Sequence, residues 1–75
     1  MNFPQYRRYT NRRSCFKILN EMEFVERRKE PKGMQDYQFV AKTLPDRNLI
    51  QDMLYQPEPH WEIINELEWL DFRKV

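Results

Sequence analysis

Two segments of this chain match each other closely, and the match constrains the fold more than any other feature of the sequence. Residues 16–26 are FKILNEMEFVE and residues 61–71 are WEIINELEWLD, so the residue classes agree everywhere except at Lys17 and Glu62. In each segment, four residues rich in β-formers precede an Asn-x-x-Glu sequence, which is typical of a capping box at the start of a helix. Both segments are therefore predicted to form a strand followed by a capped helix.

The predicted capping boxes join Asn20 with Glu23 and Asn65 with Glu68. The asparagine side-chain oxygen can accept a hydrogen bond from the amide three residues on, and the glutamate can reach back to the asparagine amide. Similar junctions need similar residues, so the match does not require an internal repeat. A true repeat is the alternative, and it would give the same local structure.

Local polarity patterns predict the remaining secondary structure. Apolar and polar residues alternate over residues 34–43, which predicts a strand, and residues 14–19 form the strand of the first matched segment. Pro45 suits the first turn of a helix, and the apolar residues after it recur at helical spacing: Leu49, Ile50, Met53 and Leu54. The predicted order is strand, short helix, strand, helix, strand and helix.

These elements predict an α+β fold in which a small three-stranded sheet carries its helices mainly on one face. If the first and third strands are neighbours, Lys17 and Glu62 project from the same face and can form an ion pair. The short first helix has an alternative, because the charged residues 26–30 soon interrupt its apolar positions. In that alternative, residues 24–43 form a hairpin around residues 31–33.

Charge is distributed unevenly along the chain, although the net charge is only +1. Residues 1–17 contain five basic residues and no acidic one, whereas residues 18–75 contain eight basic and twelve acidic residues. Residues 1–13 also lack the periodicity of a helix or a strand. The sequence therefore predicts a basic N-terminal arm, residues 1–13, joined to a single α+β domain, residues 14–75.

Composition argues against several classes of protein. One glycine, Gly33, cannot build a glycine-rich phosphate loop, and one cysteine, Cys15, cannot form an intrachain disulfide. No apolar run is long enough to span a membrane, and the N-terminus does not resemble a signal peptide. The chain is therefore predicted to be cytoplasmic and to have no membrane partner.

The N-terminal segment supports one resemblance. Residues 3–9 are FPQYRRY, and they are followed by Asn11 and by SCFKI at residues 14–18. This pattern resembles the start of certain short uncharacterised bacterial proteins. The resemblance covers a small part of the chain and implies no known activity, so it transfers no functional site.

Catalytic chemistry has little support in the sequence. Cys15 and His60 occupy matching places before two predicted strands and could form a dyad, but no third group is present to orient the histidine. A buried cysteine and a solvated histidine are the simpler interpretation. Two such ligands are too few for a zinc site, and the carboxylates are expected to form a solvated face. We therefore predict no catalytic residue, no bound metal and no cofactor.

The basic arm is a candidate binding element. Its arginines could contact phosphates while its interspersed tyrosines stack on unpaired bases. The residues of this alternative nucleic-acid site are Tyr6, Arg7, Arg8, Tyr9, Arg12 and Arg13. The acidic body of the protein would repel a polyanion, however, and could bind the arm itself, in the same chain or in a second copy. The acidic partners expected in that case are Glu62, Glu66, Glu68 and Asp71.

The last predicted helix supplies the preferred binding surface. Ile64, Leu67 and Leu70 form a stripe that is expected to face the core, whereas Trp69 and Phe72 point in another direction. Trp69 and Phe72 are therefore the predicted protein-contact residues, and the alternative is that this small protein uses both of them in its core. The sequence predicts a small non-catalytic protein–protein interaction module that binds another protein or a second copy, with single-stranded nucleic-acid binding as the alternative.

Overall fold

The computed structural model describes residues 1–72, whose strands form one antiparallel sheet. The elements in chain order are β1 (Gln5–Tyr9), β2 (Ser14–Asn20), β3 (Glu23–Glu30), β4 (Gly33–Val40), α1 (Leu44–Tyr55), β5 (Trp61–Ile64) and α2 (Glu66–Asp71). The strands lie side by side in the order β4, β3, β2, β1, β5. The fold is α+β as predicted, but the predicted three-stranded sheet is wrong, because five strands pair in the described residues. The end of the predicted domain, residues 73–75, lies outside them.

Strand β1 comes from the segment that was predicted to be a basic arm, and it lies inside the sheet between β2 and β5. Tyr6 and Arg8 point to one face of the sheet, and Arg7 and Tyr9 point to the other. Because both faces are covered here, the segment lacks the alternation of polarity that marks a half-buried strand. The expectation that residues 1–13 have no regular structure is therefore wrong for Gln5–Tyr9.

The two matched segments both begin as strands but then diverge. At Asn65 the predicted capping box is present, because Glu68 N donates to Asn65 Oδ1 at 2.9 Å and Asn65 N donates to Glu68 Oε1 at 3.3 Å. At Asn20 the side-chain oxygen accepts from Met22 N at 2.8 Å instead, and Glu21 and Met22 form a turn between β2 and β3. The predicted first helix is wrong, and the alternative hairpin is present as β3 and β4.

The hairpin of β3 and β4 turns at residues 31–32, where Glu30 pairs with Gly33. Gly33 has a φ angle of 119°, which L side chains rarely adopt, so the only glycine of the chain lies where its conformational freedom is needed. Charged residues of β3 pair across the hairpin. Arg27, for example, donates to both carboxylate oxygens of Asp36 at 2.8 and 3.1 Å.

Helix α1 confirms the predicted middle helix. Thr43 caps its N-terminus by accepting from Asp46 N at 3.4 Å, and Pro45 lies in the first turn, where its missing N–H has no helical partner to lose. Three of the predicted apolar positions are buried: Ile50, Met53 and Leu54. The helix therefore packs through the stripe that its sequence periodicity indicates.

Two apolar clusters lie on opposite faces of the sheet. The first contains the buried face of α1 and comprises Phe16, Ile18, Phe24, Ala41, Ile50, Met53, Leu54 and Trp61. The second contains the buried face of α2 and comprises Tyr6, Cys15, Ile64, Trp69 and Phe72. Cys15 and Phe16 are adjacent in β2, so their side chains point to opposite faces. The prediction that the helices pack mainly on one face is therefore wrong.

The order of the strands separates β2 from β5. Strand β1 lies between them, so Glu62 of β5 lies opposite Arg8 and not beside Lys17. The expectation that the first and third predicted strands are neighbours is wrong, because it omitted the strand formed by Gln5–Tyr9. This insertion brings an arginine of the N-terminal segment against the acidic end of the chain.

Candidate functional site

Strand β4 forms one edge of the sheet. It pairs with β3 along its whole length, and no other strand of the described residues pairs with its outer side. Just beyond the strand, Ala41 N donates to Met22 O at 2.6 Å. This bond shows which residues of β4 direct their backbone groups toward β3: Ala41 and every second residue before it. In an antiparallel pair, every second residue bonds to the neighbouring strand. The other residues direct their N–H and C=O groups outward, and we call them the outward residues: Met34, Asp36, Gln38 and Val40.

The outer side of β4 carries little of the protection that sheet edges usually have. Proteins block such edges with charges, prolines, bulges or covering segments. Strand β4 contains eight residues, of which most are exposed, and it includes no proline and a single charged residue, Asp36. Asp36 is already paired with Arg27 of β3. The edge is therefore able to accept a strand from another chain.

The opposite edge of the sheet is shorter. Strand β5 has four residues, Pro59 lies just before it, and Asn65 caps α2 directly after it. A short strand between a proline and a helix offers few backbone groups to a partner. Within residues 1–72, β4 is therefore the edge that presents a long unpaired ladder.

Apolar side chains are exposed on β4 or close to it: Met22, Phe39, Val40 and Leu44. Phe39 stacks on Phe24 of β3, with the ring centroids 5.0 Å apart. Beside this pair, a cavity of about 220 Å³ opens between the hairpin and the start of α1, and we call it the edge cavity. Its lining residues are Phe24, Glu26, Arg28, Phe39, Val40, Ala41, Asp46 and Leu49. A side chain of a strand bound at β4 could enter this cavity.

The charges next to β4 are paired within the chain. Glu26 is buried, and it accepts from Ser14 Oγ at 3.0 Å and from Arg28 Nε at 2.9 Å. The hydrogen bond from Arg28 to Glu26 raises the pKa of the Arg28 guanidinium, which also lies 4.7 Å from the centroid of the Tyr37 ring. A strand that binds beside Tyr37 therefore meets a neutralised pair and an aromatic ring.

Arg7, a candidate phosphate-binding residue in the nucleic-acid alternative, is only 2 % exposed and closes the C-terminal end of α1. Its Nε donates to Met53 O at 2.7 Å and its Nη2 to Leu54 O at 3.4 Å, while Nη1 donates to Tyr6 O at 2.7 Å. Carbonyls in a last helical turn have no partner within the helix, and α1 has no basic residue of its own there. Burial lowers the pKa of the Arg7 guanidinium. Arg7 therefore connects β1 to the end of α1.

Arg8 binds the acidic end of the chain. Its guanidinium donates to Glu62 Oε2 at 2.6 and 2.9 Å and lies 3.6 Å from Glu68 Oε2. The hydrogen bond to Glu62 raises the pKa of Arg8. Contact between the basic segment and the acidic body, which the sequence predicted as one possibility, is therefore present within a single chain.

The two tyrosines of β1 pack against aromatic residues of the same chain. Tyr6 is buried beside Trp69, with ring centroids 6.1 Å apart, and its pKa is raised by burial and by the neighbouring Glu66. Tyr9 stacks on Trp61, with ring centroids 5.5 Å apart. Both rings therefore make aromatic contacts within the fold.

Arg12 and Arg13 remain exposed, in the turn between β1 and β2. The turn is held by Arg12 N, which donates to Tyr9 O at 2.8 Å, and by Arg13 N, which donates to Asn11 Oδ1 at 2.9 Å. The structure therefore divides the six candidate nucleic-acid residues. Four of them make contacts inside the fold, and two are left at the surface.

Trp69 and Phe72, the predicted protein-contact residues, are each 4 % exposed and lie in the second apolar cluster. The Arg27 guanidinium lies 4.1 Å from the Trp69 ring centroid, and the Lys29 amine lies 4.8 Å from that of Phe72. The apolar residues of α2 that are exposed belong to the stripe predicted to face the core: Leu67 and Leu70. Their predicted orientation is wrong, because the larger aromatic residues of this helix bury more apolar area.

Cys15 is fully buried in the second cluster, and burial raises the pKa of its thiol to about 12. The thiol is therefore protonated at neutral pH and is a poor nucleophile. His60 is exposed and lies edge-on to Trp61, with ring centroids 5.8 Å apart. Within residues 1–72, no three histidine, cysteine or acidic side chains are grouped closely enough to hold a metal ion.

Membrane insertion through a helix also lacks structural support. The helices of the described residues are all too short or too polar to cross a bilayer. Comparison with known proteins leaves the local geometry as the basis for inference, because no family model, curated protein or solved structure matches the chain. Function therefore has to be argued from the site.

The open edge of β4 was not predicted from the sequence. The alternation over residues 34–43 predicted a strand there, but a strand pattern does not say whether the strand lies at the centre or at the edge of a sheet. One signal was present. Strand β4 contains several polar, uncharged side chains and exposed apolar ones together, which suits a position that is covered only when a partner binds.

Proposed function

We propose that this protein is a small non-catalytic protein–protein interaction module that binds its partner by adding a strand to the outer side of β4. The observation that carries the proposal is the open, eight-residue edge with its four outward residues. In strand addition, main-chain hydrogen bonds supply affinity, and pockets for alternate side chains supply specificity. Here the N–H and C=O groups of the outward residues provide the main-chain hydrogen bonds. Phe39, Val40 and the edge cavity provide the pockets for side chains.

The proposal includes a cytoplasmic location, because the single cysteine is a buried thiol that needs no oxidising compartment. It assigns no catalytic role, and the burial of Cys15 and the arginines that hold the carboxylates of Glu26 and Glu62 support this part of the proposal. Nucleic-acid binding through the N-terminal segment is the second candidate. No observation favours it over strand addition, since Tyr6 and Arg7 are buried inside the fold.

The proposal predicts that extended peptides selected for binding from a displayed library will depend on Gln38. Gln38→Pro removes an outward backbone N–H and the side-chain hydrogen bond from Gln38 to Glu23, but it leaves the backbone bonds between β4 and β3 intact, and an edge strand tolerates proline at such a position. Loss of one or two hydrogen bonds and the added clash should weaken peptide binding roughly tenfold or more. Gln38→Thr is the matched control, because it also loses the side-chain bond to Glu23 but keeps the outward backbone N–H and favours a strand. Isothermal titration calorimetry on the full chain measures both variants.

Equal affinity of the selected peptides for wild type and for Gln38→Pro would contradict strand addition at β4. Far-UV circular dichroism of each variant establishes that the sheet is retained. The nucleic-acid alternative is tested with the same protein: binding of a labelled single-stranded oligonucleotide at low salt that is lost in Arg12→Ala and Arg13→Ala would favour it instead.

A further inference from the structure

We infer that the partner strand is β4 of a second copy of this chain, so that two copies join edge to edge into one continuous antiparallel sheet. This inference rests on the proposed function, because it needs the outer side of β4 to accept a strand. A two-fold axis makes two identical strands antiparallel, and the same surface then serves both copies. Such a pair requires that the backbone groups and side chains of one β4 complement those of a second, antiparallel β4.

One register satisfies every outward residue of the strand. When the two-fold axis passes at Tyr37, Asp36 lies opposite Gln38 of the second copy, and Met34 lies opposite Val40. Each such pair joins two outward residues, so each exchanges two backbone hydrogen bonds. The side chains also match, because the Asp36 carboxylate meets the Gln38 side-chain amide, which donates one N–H to Glu23 of its own chain and has a second N–H to donate, and an apolar side chain meets another.

The neighbouring registers fit less well. A shift that brings the axis to Asp36 places the two Asp36 carboxylates directly opposite each other, which is destabilising. A shift that brings the axis to Gln38 leaves Asp36 opposite Val40 and moves Met34 beyond the end of the partner strand. Registers with the axis between two residues oppose outward residues to residues that already bond to β3, so the ladder cannot form.

Side chains beside the axis favour the same arrangement. Tyr37 faces its own symmetry mate as a pair without mutual backbone bonds, the type in which side chains approach most closely. Gln35 then lies opposite Phe39 of the second copy, beside the edge cavity. The one charge of the strand, Asp36, lies opposite the uncharged Gln38 of the second copy, so no like charges face each other along the contact.

Disulfide trapping of Tyr37→Cys tests the register. In the inferred pair, the two Cα atoms at position 37 lie about 4.5 Å apart, within the range of about 4.4 to 6.8 Å that a disulfide spans. Mild oxidation of the native full-length variant should give a covalent dimer, and the native wild-type chain should give none under the same conditions. Cys15 does not interfere, because it is fully buried.

Gln35→Cys is the matched control for the trapping experiment. It lies on the same strand and the same face as Tyr37. In the inferred pair, however, the two cysteines at position 35 are offset by four residues, roughly 14 Å along the strand, and should not link. Stronger linking at Asp36→Cys or Gln38→Cys than at Tyr37→Cys would overturn the register. No more linking at Tyr37→Cys than at Gln35→Cys would overturn the inference.

Light scattering provides a second measurement that does not depend on the cysteine variants. The mass of the wild-type protein should rise toward that of a dimer with increasing concentration, and Gln38→Pro should remain a monomer. A monomeric wild type that still binds selected peptides through Gln38 would overturn self-pairing while leaving the proposed function in place. Peptide affinity that is unchanged in Gln38→Pro would instead overturn the proposed function.

Discussion

Arg7→Ala should lower the free energy of unfolding by about 3 to 5 kcal/mol, because hydrogen bonds from a charged donor contribute about 1.5 to 3 kcal/mol each. Two of the Arg7 bonds are 2.7 Å long, to Met53 O and Tyr6 O. Their loss leaves acceptors unpaired at the end of α1 and removes the cation that opposes the negative end of the helix dipole. A domain of 75 residues has roughly 4 to 11 kcal/mol of stability in total, so this loss is a large fraction of the whole.

Urea titration followed by circular dichroism measures this loss. Arg12→Ala is the matched control, because Arg12 is exposed in the adjoining turn, and its removal should change stability by only about 0.5 kcal/mol. Arg7→Lys should recover little, since an ammonium group lacks the planar fork that reaches three carbonyls. Similar losses for Arg7→Ala and Arg12→Ala would contradict the role of Arg7 as the link between β1 and α1.

Trp69→Ala should also cost about 3 to 5 kcal/mol, the usual range for removing a large aromatic residue from a core. Trp69 packs beside Tyr6, lies under the Arg27 guanidinium at 4.1 Å, and is only 4 % exposed. Its removal opens the contact between α2 and the sheet. The same urea titration should therefore show a lower midpoint together with a loss of helix signal.

Leu67→Ala is the control for Trp69, because Leu67 lies on the same helix but is 70 % exposed, and it should change stability by only about 0.5 kcal/mol. The two variants separate a core role from an interface role. If Trp69→Ala kept its stability and only weakened association, Trp69 would be a contact residue and the described packing of α2 would be wrong.

The matched segments show what local sequence could and could not predict. At Asn65 the capping pattern predicted the helix correctly. In both segments, the strand predicted before the asparagine is present. At Asn20 the same residues form a turn, because Phe24 pairs with Ile18 across the hairpin and continues the first cluster. Local propensity is nearly equal in the two places, so long-range pairing decides between them.

The structure of the N-terminal segment was predicted wrongly for a different reason. Arginines usually indicate a solvated surface, but Arg7 is covered because the end of α1 offers it carbonyl acceptors, and Arg8 is held by Glu62. Those partners lie more than forty residues away along the chain. No window of sequence around β1 contains the groups that make it a central strand, so its position could not be derived from local patterns.

Amide hydrogen exchange along β4, measured residue by residue by NMR, tests the central claim most directly. In dilute protein, the amides of Gln35, Tyr37 and Phe39 should exchange slowly because they bond to β3, whereas those of the outward residues should exchange fast. Raising the protein concentration should then slow the outward residues selectively, as the second copy pairs with them. Outward amides that are protected equally at every dilution, or that stay fast at the highest soluble concentration, would contradict an open edge that binds a second copy.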